Sequence, residues 1–145
     1  MTLTTGTMTG EQRASVAKEF LLRLDTGGDT LELFADDALY YFPKRGYMRG
    51  KKEIAEFFGR LGGVIASIEH DAAFFNIVVQ GDLVVVEGAS SGTTADGVPW
   101  RAGVTLAGYW CDVFEIRDFK IHRLSTYLDP DYADADTARY PWLPA

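Results

Sequence analysis

The spacing of hydrophobic residues along this chain changes once, from a helical period to a strand period. Near the start, Val16, Phe20 and Leu24 recur every four positions, which predicts an amphipathic helix with one apolar face. Thr9 and Gln12 have the spacing of a capping box, in which each side chain bonds the backbone amide of the other at a helix start. The first predicted helix therefore begins directly after Thr9 and buries one stripe of side chains.

Two further helices are predicted before the period changes. A short second helix would carry Leu31 and Phe34 and end at Asp36, and residues 38–43 would then form a strand. Gly50 lies at the start of a third helix, which a pair of glycines ends. The apolar residues of this third helix follow the i, i+3, i+4, i+7 spacing of one helix face and are Ile54, Phe57, Phe58 and Leu61.

Beyond residue 63, apolar and polar residues alternate with the period of a β-strand. Short turns that contain glycine or aspartate separate the runs, as antiparallel hairpins require. Three helices followed by long strands predict an α+β fold: a cone-shaped α+β barrel, with three N-terminal helices packed on a strongly curved, mostly antiparallel sheet. The strand-forming runs cover residues 65–79, 83–94, 98–116 and 119–128.

A chain of 145 residues is the size of one ordinary domain. We expect residues 1–8 to form a flexible N-terminus and residues 9–130 to form the domain. Residues 131–145 form a tail that is acidic and then aromatic, and it contains Tyr132 and Trp142. Because large aromatic side chains are stabilised by burial, the tail is predicted to dock on the domain or on a partner subunit.

Composition and charge narrow the range of partners. The formal net charge is -7, so we expect no nucleic acid partner, because the phosphate backbone would be repelled. The sequence has one cysteine, Cys111, which excludes an internal disulfide. No apolar run approaches the roughly 20 residues that span a bilayer, and no signal-peptide pattern begins the chain. We therefore expect a cytoplasmic protein that does not associate with membranes.

Four short segments share the order and spacing found in one superfamily. They are residues 33–38, 49–54, 81–82 and 120–129, which are distributed over most of the chain. Together they resemble the nuclear transport factor 2-like superfamily, in its SnoaL-like and ketosteroid isomerase-like branch. This fold hosts isomerases, dehydratases, hydrolases, cyclases, lyases and non-enzymes, so the resemblance implies a cone-shaped cavity without selecting one activity.

The catalytic positions of these relatives are only partly present. Ketosteroid isomerases carry a carboxylate base just before a proline, where this chain has Phe42, and their oxyanion-hole tyrosine corresponds to Phe20. Their oxyanion-hole acid corresponds to Asp112. The last-strand aspartate of limonene epoxide hydrolases corresponds to Thr126, and scytalone dehydratases place a histidine where this chain has His70. The resemblance therefore disfavours steroid isomerisation and directs attention to Asp112 and His70.

His70 and Asp112 are the first candidates for catalysis. His70 is one of two histidines and lies in an apolar strand, and an imidazole readily accepts or donates a proton near neutral pH. Strand alternation places Asp112 on one face with Trp110 and Phe114, an apolar setting that favours a protonated carboxyl that donates a hydrogen bond. The alternative is that both are ordinary sheet residues, exposed or paired.

Two tyrosines and a glutamate complete the candidate polar groups. Tyr40 and Tyr41 lie on the first strand, where one of the two should point inward as a further catalytic group that stabilises an oxyanion. Glu87 interrupts an apolar run and either faces the cavity or forms an outward charge. The residues predicted to bind the substrate are Phe20, Phe42, Phe57, Glu87, Trp110, Phe114 and Thr126.

Two functions from different classes are compatible with these residues. The first is a cofactor-independent acid/base enzyme (a lyase, isomerase, dehydratase or cyclase) that acts on a hydrophobic, aromatic or polycyclic small molecule. The second is a non-catalytic module for small-molecule binding or dimerisation. The two histidines are far apart and no glycine-rich phosphate loop follows a strand, so we expect no metal and no organic cofactor. An outward apolar face with Tyr109, Cys111 and Val113 predicts a homodimer.

Overall fold

The computed structural model describes residues 8–144, which form two α-helices and a sheet of eight strands. Helix α1 covers Gly10–Thr26 and helix α2 covers Gly50–Leu61, and neither is long and apolar enough to cross a lipid bilayer. Single 3₁₀ turns lie at Leu31–Leu33, Ala72–Phe74 and Thr137–Arg139. The strands are β1 Phe34–Phe42, β2 Gly46–Arg49, β3 Ile65–His70, β4 Asn76–Gln80, β5 Leu83–Thr94, β6 Pro99–Arg101, β7 Tyr109–Arg117 and β8 Lys120–Leu128.

The flexible N-terminus predicted over residues 1–8 lies outside the described residues, apart from Met8. Met8 is buried, and its carbonyl oxygen accepts a hydrogen bond from Arg13 of α1 at 2.9 Å. The chain is therefore already packed against the domain at the first residue that the structure describes.

Helix α1 has the ends that its sequence predicts. The Thr9 hydroxyl accepts a hydrogen bond from the Gln12 amide at 3.1 Å, and the Gln12 side chain accepts one from the Thr9 amide at 2.8 Å. Gly27 ends the helix in the left-handed conformation, with a φ of 72°. The helix lies across the concave side of the sheet, with contacts to β3, β4, β5 and β7. Its buried face consists of Val16, Ala17, Phe20 and Leu21.

The prediction of a second short helix is wrong, so residues 8–144 contain two α-helices and not three. The chain makes one 3₁₀ turn at Leu31–Leu33, and Phe34 already begins strand β1. Phe34 is fully buried because it pairs in parallel with Ile121 of β8 and packs edge-to-face on Phe20 at 5.7 Å. The local apolar spacing fits a helix, but this long-range pairing decides the conformation.

The predicted α+β fold with a curved, mostly antiparallel sheet is confirmed. The strands lie in the order β2-β1-β8-β7-β5-β3, with β4 and β6 also paired to β5, and β1 runs parallel to β8. Two predicted strands are interrupted: residues 65–79 by the 3₁₀ turn at Ala72–Phe74, and residues 98–116 by a loop over residues 102–108. Residues 46–49 form a further strand, β2, which pairs with β1.

Strand β5 pairs with four other strands and so connects the two parts of the sheet. Its first half pairs with β4 and β7, and its second half pairs with β3 and β6. At Gly92 a Cβ atom would lie 2.1 Å from the carbonyl oxygen of Ser67 and 2.4 Å from the Trp100 ring, so glycine is required there. The strands therefore pack closely at Gly92, and a cavity lies between the helices and the concave face of the sheet.

The C-terminal tail contacts the domain through one aromatic residue. Tyr132 is 6% exposed, and its ring centroid lies 4.5 Å from that of Trp100. Trp142, near the end of the tail, is 75% exposed. Docking of these last aromatic residues on a partner subunit stays a prediction.

Candidate active site

A cavity of about 360 Å³ lies between the end of α1, helix α2 and the concave face of the sheet. Much of its wall is apolar, with the rings of Phe20, Phe42 and Phe58 among the lining side chains. A wider, more open groove of about 760 Å³ lies between α1 and β3 and shares Asp25 and His70 with the cavity. The smaller cavity is the candidate site because it also contains buried polar groups. Its ionisable and hydroxyl-bearing side chains are Asp25, Tyr40, Ser67, His70, Asp112, Thr126 and Tyr132.

The last turn of α1 and the end of β3 bring Asp25 and His70 together. Asp25 Oδ1 lies 2.5 Å from His70 Nδ1, and Asp25 Oδ2 accepts a hydrogen bond from the His70 backbone amide at 2.9 Å. Both side chains are largely buried, with exposed fractions of 16% and 7%. A carboxylate that faces Nδ1 accepts its proton, so the lone pair of the neutral ring belongs to Nε2. This arrangement makes His70 Nε2 a proton acceptor with a fixed orientation.

The Asp25 carboxylate lies at an unfavourable point of its own helix. The C-terminal end of a helix carries a partial negative charge, and Asp25 belongs to the last turn of α1. Its two hydrogen bonds with His70 offset this cost, while Trp110 packs edge-on against the imidazole with ring centroids 5.2 Å apart. The position of Asp25 is therefore explained by the histidine that it orients and not by helix stability.

Asp112 of β7 is a deeply buried acid, with 3% of its surface exposed. Burial raises the pKa of this carboxyl from its ordinary value of 3.8 to about 6, although the nearby Thr126 hydroxyl and His70 each lower it. One of its oxygens, Oδ1, is buried and has no hydrogen-bond partner among residues 8–144. Asp112 therefore changes charge close to neutral pH and presents an unused acceptor atom.

Tyr40 and Thr126 connect this carboxyl to the first strand. Tyr40 Oη lies 3.3 Å from Thr126 Oγ1, and Thr126 of β8 is the strand partner of Asp112 of β7. Burial, and then the charge of Asp112, raise the pKa of the Tyr40 phenol, so it remains neutral and able to donate a hydrogen bond. Strand pairing thus brings Tyr40, Thr126 and Asp112 into one row of polar groups.

The tail adds a further phenol to the same cavity. Tyr132 is one of the lining residues, and burial followed by the charge of Asp112 raises its pKa. The turn that follows is held by the Asp131 carboxylate, which accepts hydrogen bonds from the amides of Ala135 and Asp136 at 2.9 Å each. Tyr132 therefore closes part of the cavity from an ordered segment.

The structure places the predicted site residues in two layers. Phe57 packs on Phe42 at 4.7 Å between ring centroids, and Phe114 packs on Phe20 at 5.8 Å. Together with Trp110, which contacts His70, these rings lie behind the cavity wall and support it. The predicted residues that line the cavity itself are Phe20, Tyr40, Phe42, His70, Asp112 and Thr126.

Tyr41 and Glu87 lie outside the cavity, which corrects their assignment to the site. Tyr41 packs against the ring of Tyr47 at 5.2 Å on the convex face of the sheet, because neighbouring residues of a strand point to opposite faces. Glu87 is exposed and its Oε1 accepts a hydrogen bond from Asn76 at 3.0 Å. The run of valines before Glu87 is apolar on both faces of β5, so the sequence does not show which face the glutamate occupies.

Sequence reasoning missed Asp25 and Tyr132. Asp25 left one signal, which is a carboxylate in the last turn of a helix where the macrodipole disfavours it. It lies 45 positions before His70, and no local pattern joins the two residues. Tyr132 was included in a docking tail, but its position at the cavity depends on the path of the chain after β8.

The site offers proton-transfer groups. Within residues 8–144, no group of three or more His, Cys, Asp or Glu side chains is arranged to hold a metal ion. The cavity instead combines an oriented imidazole, a carboxyl that titrates near neutral pH and two neutral phenols. These groups can move a proton and stabilise charge on a bound molecule.

The family model of the SnoaL-like domain matches residues 23–124, which is more than half of the chain. The chain belongs to the SnoaL-like domain family. This confirms the resemblance to the nuclear transport factor 2-like superfamily that the sequence segments indicated. No curated protein matches the sequence.

Solved structures similar to this SnoaL-like protein share its fold. An NTF2-like protein from Anabaena variabilis ATCC 29413 is 22% identical, with 88% of this chain and 96% of that chain covered and a TM-score of 0.69. An LEH-like epoxide hydrolase from M. tuberculosis is 20% identical, with coverages of 86% and 87% and a TM-score of 0.66. A polyketide cyclase candidate from Xanthomonas campestris pv. campestris is 17% identical, with coverages of 83% and 92% and a TM-score of 0.68. At these identities the likeness concerns the fold alone.

Proposed function

We propose that this SnoaL-like protein is a cofactor-independent acid/base enzyme that removes a proton from a carbon atom of a hydrophobic small molecule. The observation that carries the proposal is the hydrogen-bonded pair of Asp25 and His70 in the wall of a largely apolar cavity. Elimination, dehydration, isomerisation and cyclisation can all begin with such a proton transfer. The proposed class is therefore a lyase, dehydratase, isomerase or cyclase.

His70 acts as the general base through Nε2. Asp25 accepts the Nδ1 proton, which selects the tautomer and stabilises the imidazolium that forms when Nε2 takes a proton. Trp110 contacts the ring edge-on and restricts its rotation. A positioned base of this kind typically accelerates a reaction by roughly 10²–10⁴-fold.

Asp112 and Tyr40 stabilise the charge that develops on the substrate. When the base removes a proton, negative charge moves to a substrate oxygen or to a leaving group. The neutral Tyr40 phenol and, below its pKa of about 6, the Asp112 carboxyl can each donate a hydrogen bond to that charge. Convergence of the base and these donors on one cavity supports catalysis over simple binding.

Epoxide hydrolysis is a less favoured reaction, although an epoxide hydrolase shares the fold. In the resemblance to limonene epoxide hydrolases, the position of the last-strand aspartate is occupied by Thr126, whose hydroxyl is hydrogen-bonded to Tyr40. A hydroxyl in that place cannot replace the carboxylate. The proposal therefore rests on His70 as the base.

A generic carbon acid tests for this base without the natural substrate. In 5-nitrobenzisoxazole a base removes the C3 proton, the electron pair forms the carbon–nitrogen triple bond, and the N–O bond breaks to release coloured 2-cyano-4-nitrophenolate. We expect the wild-type protein to catalyse this elimination, and His70→Asn to lower kcat by about tenfold or more. Asp25→Asn should also lower kcat, because the amide has one acceptor oxygen where the carboxylate has two and carries no charge to stabilise the imidazolium.

His122→Asn is the matched control, because this second histidine lies on β8 and does not line the cavity. Its rate should equal that of the wild type. Equal rates for wild type and His70→Asn would contradict the proposal. If both proteins then still bound 2-naphthol, the non-catalytic binding module would be the better description, in line with the absence of carboxylates at Phe42 and Thr126.

A further inference from the structure

The cavity has an unusual balance of charged groups. Asp25 and Asp112 both line it, whereas no lysine or arginine is among the lining residues that the structure describes. The two acids differ in their partners. Asp25 is engaged by the ring and the amide of His70, but Asp112 Oδ1 has no hydrogen-bond partner within residues 8–144. One buried acceptor atom is therefore left for a bound molecule.

An unpartnered carboxylate oxygen favours a ligand that donates a hydrogen bond. A bound molecule that offers only apolar atoms would cover Asp112 and leave the acceptor without a partner, which is costly in a buried place. A bound carboxylate would face two acids, while the described lining residues include no lysine or arginine and His70 is already paired with Asp25. A hydroxyl group supplies one donor to Oδ1 and adds no charge.

An ammonium group fits this site less well than a hydroxyl. It carries three N–H donors and a charge that must lose its water on entry. The lining offers Oδ1 of Asp112 as one free acceptor, while the oxygens of Asp25 are already occupied by His70. A buried ammonium would need acceptors for two further donors, and the oxygens of Asp25 are not free to supply them. The site therefore favours a neutral donor.

The other lining residues and the volume of the cavity indicate the size and ring system of the ligand. Phe20, Phe42 and Phe58 form aromatic surface beside the row of polar groups. The volume of about 360 Å³ equals that of about twelve water molecules in the liquid, which accommodates a compound of one or two rings. The polar group must lie at the end of the ring system that meets Asp112.

We propose that the cavity selects an uncharged one- or two-ring compound whose hydroxyl group donates a hydrogen bond to Asp112 Oδ1, and that it rejects the corresponding carboxylates. This inference takes the cavity from the proposed function as the substrate site and names the substrate class. The binding measurements that test this selection require no catalytic turnover. A failure of the base assignment and a failure of this selection can therefore be told apart.

Four probes with the same ring system test the selection by calorimetric titration: naphthalene, 2-naphthol, 2-naphthoate and 2-naphthylmethylammonium. At a pH about one unit above the pKa of Asp112, we expect 2-naphthol to bind about tenfold or more tightly than naphthalene. The carboxylate should bind at least about tenfold more weakly than 2-naphthol. In Asp112→Asn, the penalty against 2-naphthoate should shrink by about tenfold, because one of the two acids is removed.

The exposed Asp37→Asn of β1 is the matched control and should keep the wild-type order of affinities. The proposal is overturned if 2-naphthoate binds the wild type as well as 2-naphthol, if the ammonium binds more tightly than the alcohol, or if Asp112→Asn leaves the selectivity unchanged.

Discussion

The buried carboxyl of Asp112 should make this protein less stable above the pKa of that group. The folded state binds the Asp112 proton more tightly than the unfolded chain, since burial raises its pKa from 3.8 to about 6. The protonated Asp112 carboxyl therefore gives the folded state a stability that is fully present below about pH 3.8 and is lost as the pH rises through about 6. A pKa difference of about two corresponds to about 3 kcal/mol of unfolding free energy. Domains of this size are stable by only about 5–15 kcal/mol, so the effect is measurable.

Asp112→Asn keeps the shape of the side chain and removes its charge. We expect the variant and the wild type to have similar unfolding free energies near pH 4, and the variant to be more stable by up to about 3 kcal/mol near pH 8. Urea denaturation at several pH values, followed by circular dichroism, measures the difference between the two proteins. Taking this difference cancels the titration of groups that do not interact with Asp112.

An exposed acid provides the control for this experiment. Asp37→Asn removes a charge from the same protein, but its carboxyl is in water in both states, so the difference from wild type should stay below about 0.5 kcal/mol at every pH. The reasoning is refuted if Asp112→Asn is equally stable or less stable than wild type near pH 8. It is also refuted if the difference does not depend on pH between about 4 and 7.

Three further predictions concern other parts of the molecule. Thr126→Val removes a hydroxyl that lowers the pKa of Asp112, so carboxyl ¹³C NMR titration should give a pKa above that of the wild type. An unchanged or lower pKa would contradict this effect of the hydroxyl. Gly92→Ala should lower the unfolding free energy by about 2 kcal/mol or more, because the new Cβ would meet the backbone of β3. Gly59→Ala in α2 is the control, since a Cβ there meets open space, and it should be neutral or stabilising. The convex face of the sheet, with the exposed Tyr127, should be the interface of a homodimer that light scattering detects. Tyr127→Glu should dissociate this dimer, and a wild-type monomer at micromolar concentration would contradict the prediction.

Local patterns correctly indicated the elements that depend on near neighbours in the chain. The Thr9 capping box and Gly27 define the ends of α1, and both need only a few adjacent residues. Alternation along β7 predicted that Trp110, Asp112 and Phe114 share the inward face, and the structure has this burial pattern. The same reasoning failed at Phe34, where a helical spacing was overridden by pairing with a strand near the other end of the chain.

In the candidate site, too, local patterns indicated some residues, and others depend on long-range packing. Alternation along β7 placed Asp112 on one face with Trp110 and Phe114, whereas on β1 it left open whether Tyr40 or Tyr41 points inward. Glu87 was left open between two faces, because the valines before it are apolar on both sides of β5. The partner of His70 was not found at all, since Asp25 lies on a helix and reaches β3 only through packing.

The amino-acid sequence by itself determined the class of the fold, the ends of the first helix, the alternation of the long strands and the carboxyl that faces the interior. These features follow from side-chain periodicity, capping and turn chemistry, which act over a few residues. Tertiary structure alone decided that Asp25 orients His70, that Tyr132 closes part of the cavity and that β3 and Trp100 approach β5 closely at Gly92. Each of these depends on contacts between distant segments, whose distances are set by how the helices pack into the curved sheet.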